Sequence, residues 1–242
     1  MSYLLRSRSE PKKLIPESLE EQKGKINEVR ELLGNLPTEM PNFLSDATIR
    51  RFLRARNWST VQAAKSLKEA ARWRRQYEPE KIRWTKTSEE DHLKYLVYNL
   101  ENLVLNSEDA QESVVWMSDF RGWAISSTPF SLTRESLRII QKYYPGLIAV
   151  AILTNPPKIF ESFWKIIKHF LEPKMSEKVK FVYNNNSESQ RIMGDTFDLD
   201  KLESTFGGRN TAGLDIRKYA EKMRRQDQIR GACNADGNSS SS

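Results

Sequence analysis

The 242-residue chain has one cysteine, Cys233, and only two histidines, His92 and His169. A lone cysteine forms no internal disulfide, which suits a reducing compartment, and so few sulfur and imidazole ligands leave little from which to build a zinc site. Long apolar runs are missing too. The longest, Leu147 to Leu153, falls far short of the roughly 20 residues that a membrane-spanning helix needs. Met1 to Arg8 carries arginines without the apolar stretch of a signal peptide, so a cytoplasmic location is expected. Glycines number 10 and are scattered; Gly122 stands alone where a cofactor-binding loop would cluster them. No G-x-S-x-G, P-loop or H-E-x-x-H sequence occurs. No catalytic set, cofactor or metal is expected, and the chain reads as a binding protein rather than an enzyme.

Apolar residues make up 38% and charged residues 29%, enough for a packed core. The formal charge of +7 favours acidic partners: nucleic acid, an acidic protein or the anionic face of a membrane. The same excess can serve solubility alone. Arg50, Arg51, Arg54, Arg56, Lys65, Lys68, Arg72, Arg74 and Arg75 form a basic segment with Trp58 and Trp73 interleaved. These charges are spread around helices rather than along one groove-reading face, so nucleic acid is not an expected partner.

Residues 1–16 are basic and polar and read as a disordered leader. Ile26, Val29 and Leu33 recur at helical spacing before Gly34, a suitable C-cap. A second helix follows Ser45 with Ile49, Phe52 and Leu53 on one face. A third is announced by the capping box Ser59-x-x-Gln62 and runs to about Tyr77. These make an all-helical N-terminal module over 17–84. Beyond it a helix over Ser88 to Asn106 carries Leu93, Leu96, Leu100 and Leu103. Ser113 to Met117 is β-rich, Ser131 to Tyr144 is helical and closed by Pro145, Leu147 to Leu153 has the pattern of a strand covered on both faces, and Val179 to Tyr183 is a third strand. Alternating strands and helices predict an α/β fold with a largely parallel sheet flanked by helices over 88–213. A basic helix follows within 214–242, with a disordered tail expected from Gly231.

Lys158 to Leu171 is predicted as one helix with Pro156 and Pro157 at its first turn. Ile159, Phe160, Phe163, Trp164, Ile166, Ile167, Phe170 and Leu171 are apolar, a wider arc than the roughly 100° that sheet packing uses. An ordinary core helix is one reading. The other has part of the arc lining a lipid cavity and part facing a bilayer, where Trp164 and the flanking lysines suit the interface.

Tyr143-Tyr144-Pro145, the strand Leu147 to Leu153, Asn155-Pro156-Pro157-Lys158-Ile159-Phe160, Phe170-Leu171-Glu172-Pro173-Lys174, Lys178-Val179-Lys180-Phe181 and Phe206-Gly207-Gly208 occur in an order that resembles the CRAL-TRIO family, the fold of phosphatidylinositol and phosphatidylcholine transfer proteins. Ile49 to Arg56 is similar to that family's helical N-terminal module. The resemblance implies a lipid pocket floored by the sheet and closed by a mobile gate, here Lys158 to Leu171. Carried over by position, Lys178 is implied as the contact to a head-group phosphate and Arg56 as a supporting charge; a flexible lysine suits the first role. Ile159, Phe160, Phe163, Trp164, Ile167, Phe170 and Leu171 are implied as gate and pocket.

Two departures qualify the match. Gly146 and Leu147 stand where phosphatidylinositol binders carry glutamate and arginine, and Val114 and Trp116, at the phosphocholine-contact positions, have no hydroxyl. Between Ile82 and Ser88 there is no sign of the family's early β-hairpin, whose loss would leave a sheet edge unpaired. The implied partners are a phospholipid or similar hydrophobic ligand and an anionic membrane surface, met by a peripheral, monomeric protein. Arg217, Lys218, Lys222, Arg224 and Arg225 on the C-terminal helix are the candidates for membrane attraction. A scaffold that keeps the fold without moving lipid is the alternative. Asn155-Pro156-Pro157 also resembles a methyltransferase motif, but Lys158 stands where that motif needs an aromatic ring.

Overall fold

The computed structural model describes residues 18–83, 92–105, 113–213 and 215–236. The expected leader, the stretch from Trp84 to Ser88 on which the missing hairpin turns, and the final residues lie outside them. The chain divides into two compact units, Met1–Arg72 and Trp73–Ser242, so the division falls inside a helix, upstream of the expected boundary after Trp84.

The first unit is helical. Helix α1 (Leu19–Leu33) begins where the Ser18 hydroxyl accepts the Glu21 N–H at 3.1 Å, and it stops at Gly34 in the left-handed region. A single turn, α2 (Leu36–Glu39), leads to α3 (Asp46–Ala55), capped by Ser45. Ile49, Phe52 and Leu53 are buried as their spacing predicts. Left-handed Asn57 and Trp58 turn the chain into α4 (Thr60–Tyr77), and the Ser59 hydroxyl accepts the Gln62 N–H.

The second unit starts in the last turns of α4 and is α/β. Helix α5 (His92–Leu105) precedes β1 (Val114–Asp119); α6 (Phe130–Tyr143) leads through Tyr144-Pro145-Gly146 into β2 (Ile148–Thr154); then come α7 (Phe160–Ile167), α8 (Pro173–Ser176), β3 (Val179–Val182), α9 (Ser187–Thr196) and α10 (Ile216–Asp236). The three strands are parallel, in the order β1-β2-β3. Central β2 takes up the predicted apolar run from its second residue: Ile148, Ala151 and Ile152 are buried and Ala149, Val150 and Leu153 half-buried, as suits a strand covered on both faces. Among the described residues β1 and β3 each pair with β2 alone.

Side chains alternate across this sheet. Met117, Val150, Ile152 and Val182 point to one side and pack with Met193 of α9 and with Leu199, Leu202 and Phe206. The Phe206-Gly207-Gly208 motif closes that layer. Gly207 has φ +87°, and a Cβ on Gly208 would lie 1.9 Å from the Leu202 carbonyl oxygen, so neither position accepts a side chain without strain. Leu153 and Phe181 point to the opposite side, under α7. Register places Trp116 opposite Ala151 and Ser118 opposite Leu153, hence on this same side.

Two expectations are corrected. The helix over Lys158–Leu171 is shorter: left-handed Asn155 turns the chain, the two prolines precede the helix, and after Ile167 the backbone tightens into a single 3-10 turn, Lys168–Phe170. The disorder expected from Gly231 begins too early, since α10 continues to Asp236.

Candidate functional site

The α7 side of the sheet carries a continuous cluster of rings. Phe160, Phe163 and Ile167, spaced i, i+3, i+7, face inward and are buried against Phe120, Trp123, Leu137, Leu153, Trp164 and Phe181. Phe160 meets Phe120 at 4.6 Å and Trp123 at 5.1 Å between ring centroids, both edge to face. Trp164 stands edge-on to Phe181 at 5.2 Å, and Phe170 meets Phe130 at 5.4 Å with the Arg134 guanidinium over its ring. Trp164, Phe170 and Leu171 are half-buried.

The outer face of the same segment is apolar as well. Ile159 is 55% exposed and Ile166 53%, with Lys158, Lys165 and Lys168 beside them in solvent. A surface helix usually turns polar side chains outward, and although single exposed apolar residues are common, these two stand seven positions apart on the outer side of one segment, framed by lysines.

Lys178 lies at the start of β3, where its ammonium donates to the Ile148 carbonyl at 2.7 Å. Arg56 lies in the first unit at the end of α3, and its Nε donates to the Ser66 hydroxyl at 3.0 Å. The two expected head-group residues thus belong to different units. Trp116 is on the α7 side by register and its indole N–H donates to the Ser118 hydroxyl at 2.9 Å, whereas a register shift after Val114 sets that residue opposite Ile148. Ser118 therefore supplies a hydroxyl on a face where none was expected. Gly146 has φ +76° in the turn before β2.

Arg217, Lys218, Lys222, Arg224 and Arg225 are all exposed on α10. The opposite side of α10 buries Ala220 and Met223, and the Tyr98 hydroxyl of α5 donates to the Met223 carbonyl at 3.2 Å. One face is thereby docked while the cations point outward. Burial pushes the Tyr219 phenol up to about 12, helped by a hydrogen bond with Tyr95.

A buried polar cluster went unread in the sequence. The Arg74 guanidinium makes two hydrogen bonds to the Glu101 carboxylate, at 2.9 and 2.7 Å, and the Tyr144 hydroxyl donates to the same carboxylate at 2.5 Å. Desolvation alone would lower the Arg74 pKa, but the charge and hydrogen bonds of Glu101 outweigh it and hold the guanidinium above its ordinary value. Burial, then Glu101, pushes the Tyr144 phenol well up. Trp73 stacks between Tyr143 at 4.1 Å and Tyr77 at 4.8 Å beside this cluster. Glu101 lies 27 positions from Arg74 and 43 from Tyr144, so periodicity carries no signal for the polar cluster. The same holds for Phe120 and Trp123, which lie in a loop.

Among the described residues no helix is long and apolar enough to cross a membrane. Nor does any group of three or more His, Cys, Asp or Glu there have metal-binding geometry.

Comparison with known proteins gives a consistent picture. The CRAL/TRIO domain family profile matches residues 74–208. The SEC14 cytosolic factor of Candida glabrata is 25% identical over 79% of this chain and 79% of its own length, and that of Kluyveromyces lactis is 26% identical over 78% and 79%. The phosphatidylinositol transfer protein PDR17 of Saccharomyces cerevisiae is 23% identical over 62% of this chain and 56% of its own. The crystal structure of Sfh5 superposes with a TM-score of 0.59 at 14% identity, covering 89% of this chain and 99% of that one, which is a likeness of fold. With the matched residues spanning the parallel sheet, the ring cluster and the double-glycine turn, the chain belongs to the CRAL/TRIO domain family.

Proposed function

We propose that this protein binds a phospholipid or similar hydrophobic ligand within its second unit and exchanges it with anionic membranes, acting as a carrier rather than an enzyme. The observation that carries the reading is the two-sided apolar character of Lys158–Leu171: rings inward over the sheet, Ile159 and Ile166 outward among lysines. Relatives named as SEC14 cytosolic factors and as a phosphatidylinositol transfer protein support it. The segment is the gate. Contact of its outer isoleucines with a bilayer lifts it, the rings beneath it part, and acyl chains take their place against the sheet. Each buried methylene is worth about 0.8 kcal/mol, so the chains supply most of the affinity and the head-group contacts supply the choice. Lys178 exchanges the Ile148 carbonyl for a phosphate oxygen. Without a glutamate at position 146, inositol is not the favoured head group.

The test is native mass spectrometry of the protein repurified from mixed phosphatidylcholine and phosphatidylserine vesicles, with extraction of the bound lipid. One phospholipid per chain is expected, with transfer from donor to acceptor vesicles. Protein that emerges empty would refute the reading; loading without transfer would leave the scaffold or sensor role.

Membrane attraction has its own test. With Arg217, Lys218, Lys222, Arg224 and Arg225 all changed to glutamine, binding to phosphatidylserine vesicles should fall about tenfold or more at low salt. The deficit should vanish at high salt, where surface charges are screened. Equal vesicle co-sedimentation of both proteins at low salt would remove α10 from the membrane face.

A further inference from the structure

We infer that two carboxamide side chains, Asn155 and Gln141, are the latches that set the closed position of the segment 158–171, one at each of its ends. The inference rests on the gate reading and adds the residues that control it.

At the exit, Leu171 and Glu172 are extended between the 3-10 turn and α8, and Leu171, with φ −90° and ψ 135°, is the one that joins the turn. Rotation there is the simplest way to swing the segment. Gln141 of α6 grips the peptide groups on both sides of that residue: its Nε2 donates to the Phe170 carbonyl at 2.9 Å and its Oε1 accepts the Glu172 N–H at 2.6 Å. Leu171 cannot turn while both bonds hold, because its rotation moves one peptide group relative to the other.

At the entry, Asn155 joins β2 to the prolines with φ +51°. A residue before proline is normally extended, so this backbone is held by its surroundings. Its N–H donates to the Val182 carbonyl at 2.8 Å, and its Oδ1 accepts the Asn184 N–H at 3.0 Å. Asn184 is steadied in turn by Gln190 of α9, whose Nε2 donates to the Asn184 carbonyl at 3.2 Å. Next to Asn155, the Thr154 hydroxyl donates to the Ser118 carbonyl at 2.9 Å, so the root of the segment is fixed to β1 as well as to the β3–α9 turn. The Asn155 Nδ2 is buried with no hydrogen-bond partner among the described residues, so the closed arrangement is short of full satisfaction, as befits a contact made to release.

Hydrogen exchange on the full chain without vesicles tests this. In Gln141→Leu, amides of 160–171 should exchange about tenfold faster, the loss expected for a hydrogen bond or two. Asn155→Gly keeps the left-handed backbone but removes the side-chain bond, and should give the same local acceleration. Gln141→Glu keeps an acceptor for the Glu172 N–H and loses the donor to Phe170, so it should fall between Gln141→Leu and the parent protein. Melting temperatures and exchange in α1, α3 and α9 should hardly move. Parent-like exchange over 160–171 in both Gln141→Leu and Asn155→Gly overturns the inference. So does an acceleration spread evenly over the chain with a large drop in melting temperature, which marks ordinary structural bonds. Adding vesicles to the parent protein separates the two ideas: no vesicle-dependent change over 160–171 sinks the gate, whatever the vesicle-free variants show.

Discussion

Under the proposed gate reading, replacing Phe163 and Ile167 together with aspartate is expected to abolish lipid loading. Both side chains are buried, 7% and 4% exposed, at the centre of the ring cluster beneath α7. Truncating a buried Phe alone costs about 3–5 kcal/mol, and leaving two carboxylates without partners there adds several more. The helix can no longer close over an acyl chain, and wetting of the cluster removes the apolar lining that holds it. Circular dichroism and extracted lipid, measured on the same sample, distinguish loss of the gate from loss of the fold. The companion change Ile166→Asp lies on the exposed face and leaves loading possible while weakening vesicle association. A folded Phe163→Asp, Ile167→Asp protein that still carries its full complement of lipid would remove the segment from the function altogether.

The second large effect concerns stability. Glu101→Ala takes from the Arg74 guanidinium, 8% exposed, the carboxylate that binds it twice, leaves Glu80 at 2.7 Å, and deprives the Tyr144 hydroxyl of its acceptor. Breaking a buried pair from one side costs about 3–5 kcal/mol. For a chain of this size that corresponds to a fall in melting temperature on the order of 10 °C. The double change Arg74→Met, Glu101→Leu removes both charges and should recover most of the loss, because well-packed apolar groups replace a buried ion pair at little cost. A calorimetric cycle over the two single changes and the double change checks this. Additive losses would show that the pair is not coupled.

How far the sequence could be read depended on the range of the interactions. Helices α1, α3 and α4 are legible because their signals are local: Ile26, Val29 and Leu33 recur before Gly34, Ser45 and Ser59 cap residues three positions on, and Ile49, Phe52 and Leu53 mark one face. The run Leu147–Leu153 announced a doubly covered strand for the same reason. Aromatic density marks 158–171 as an apolar helical segment, but the helix within it is the shorter Phe160–Ile167. Proline-proline was taken as a first helical turn, and nothing in the sequence shows that Asn155 adopts φ +51°. The tail was taken as disordered from its small polar residues, whereas the start of α10 is docked through Met223 and Tyr98, 125 positions apart, and the helix propagates from there. Arg74 reads in the sequence only as one charge of a basic segment, because its partner Glu101 lies 27 positions away. Lys178 and Arg56 were located by family likeness alone, with no pattern of their own.

The left-handed turn at Gly146 bears on how head-group choice could change. A glutamate placed there would inherit φ +76°, a conformation that costs an L-residue on the order of 1 kcal/mol beyond glycine. A single substitution would therefore not simply regain an acidic contact; the bend before the central strand would have to be redrawn as well. At this position a side-chain contact is thus tied to the course of the main chain.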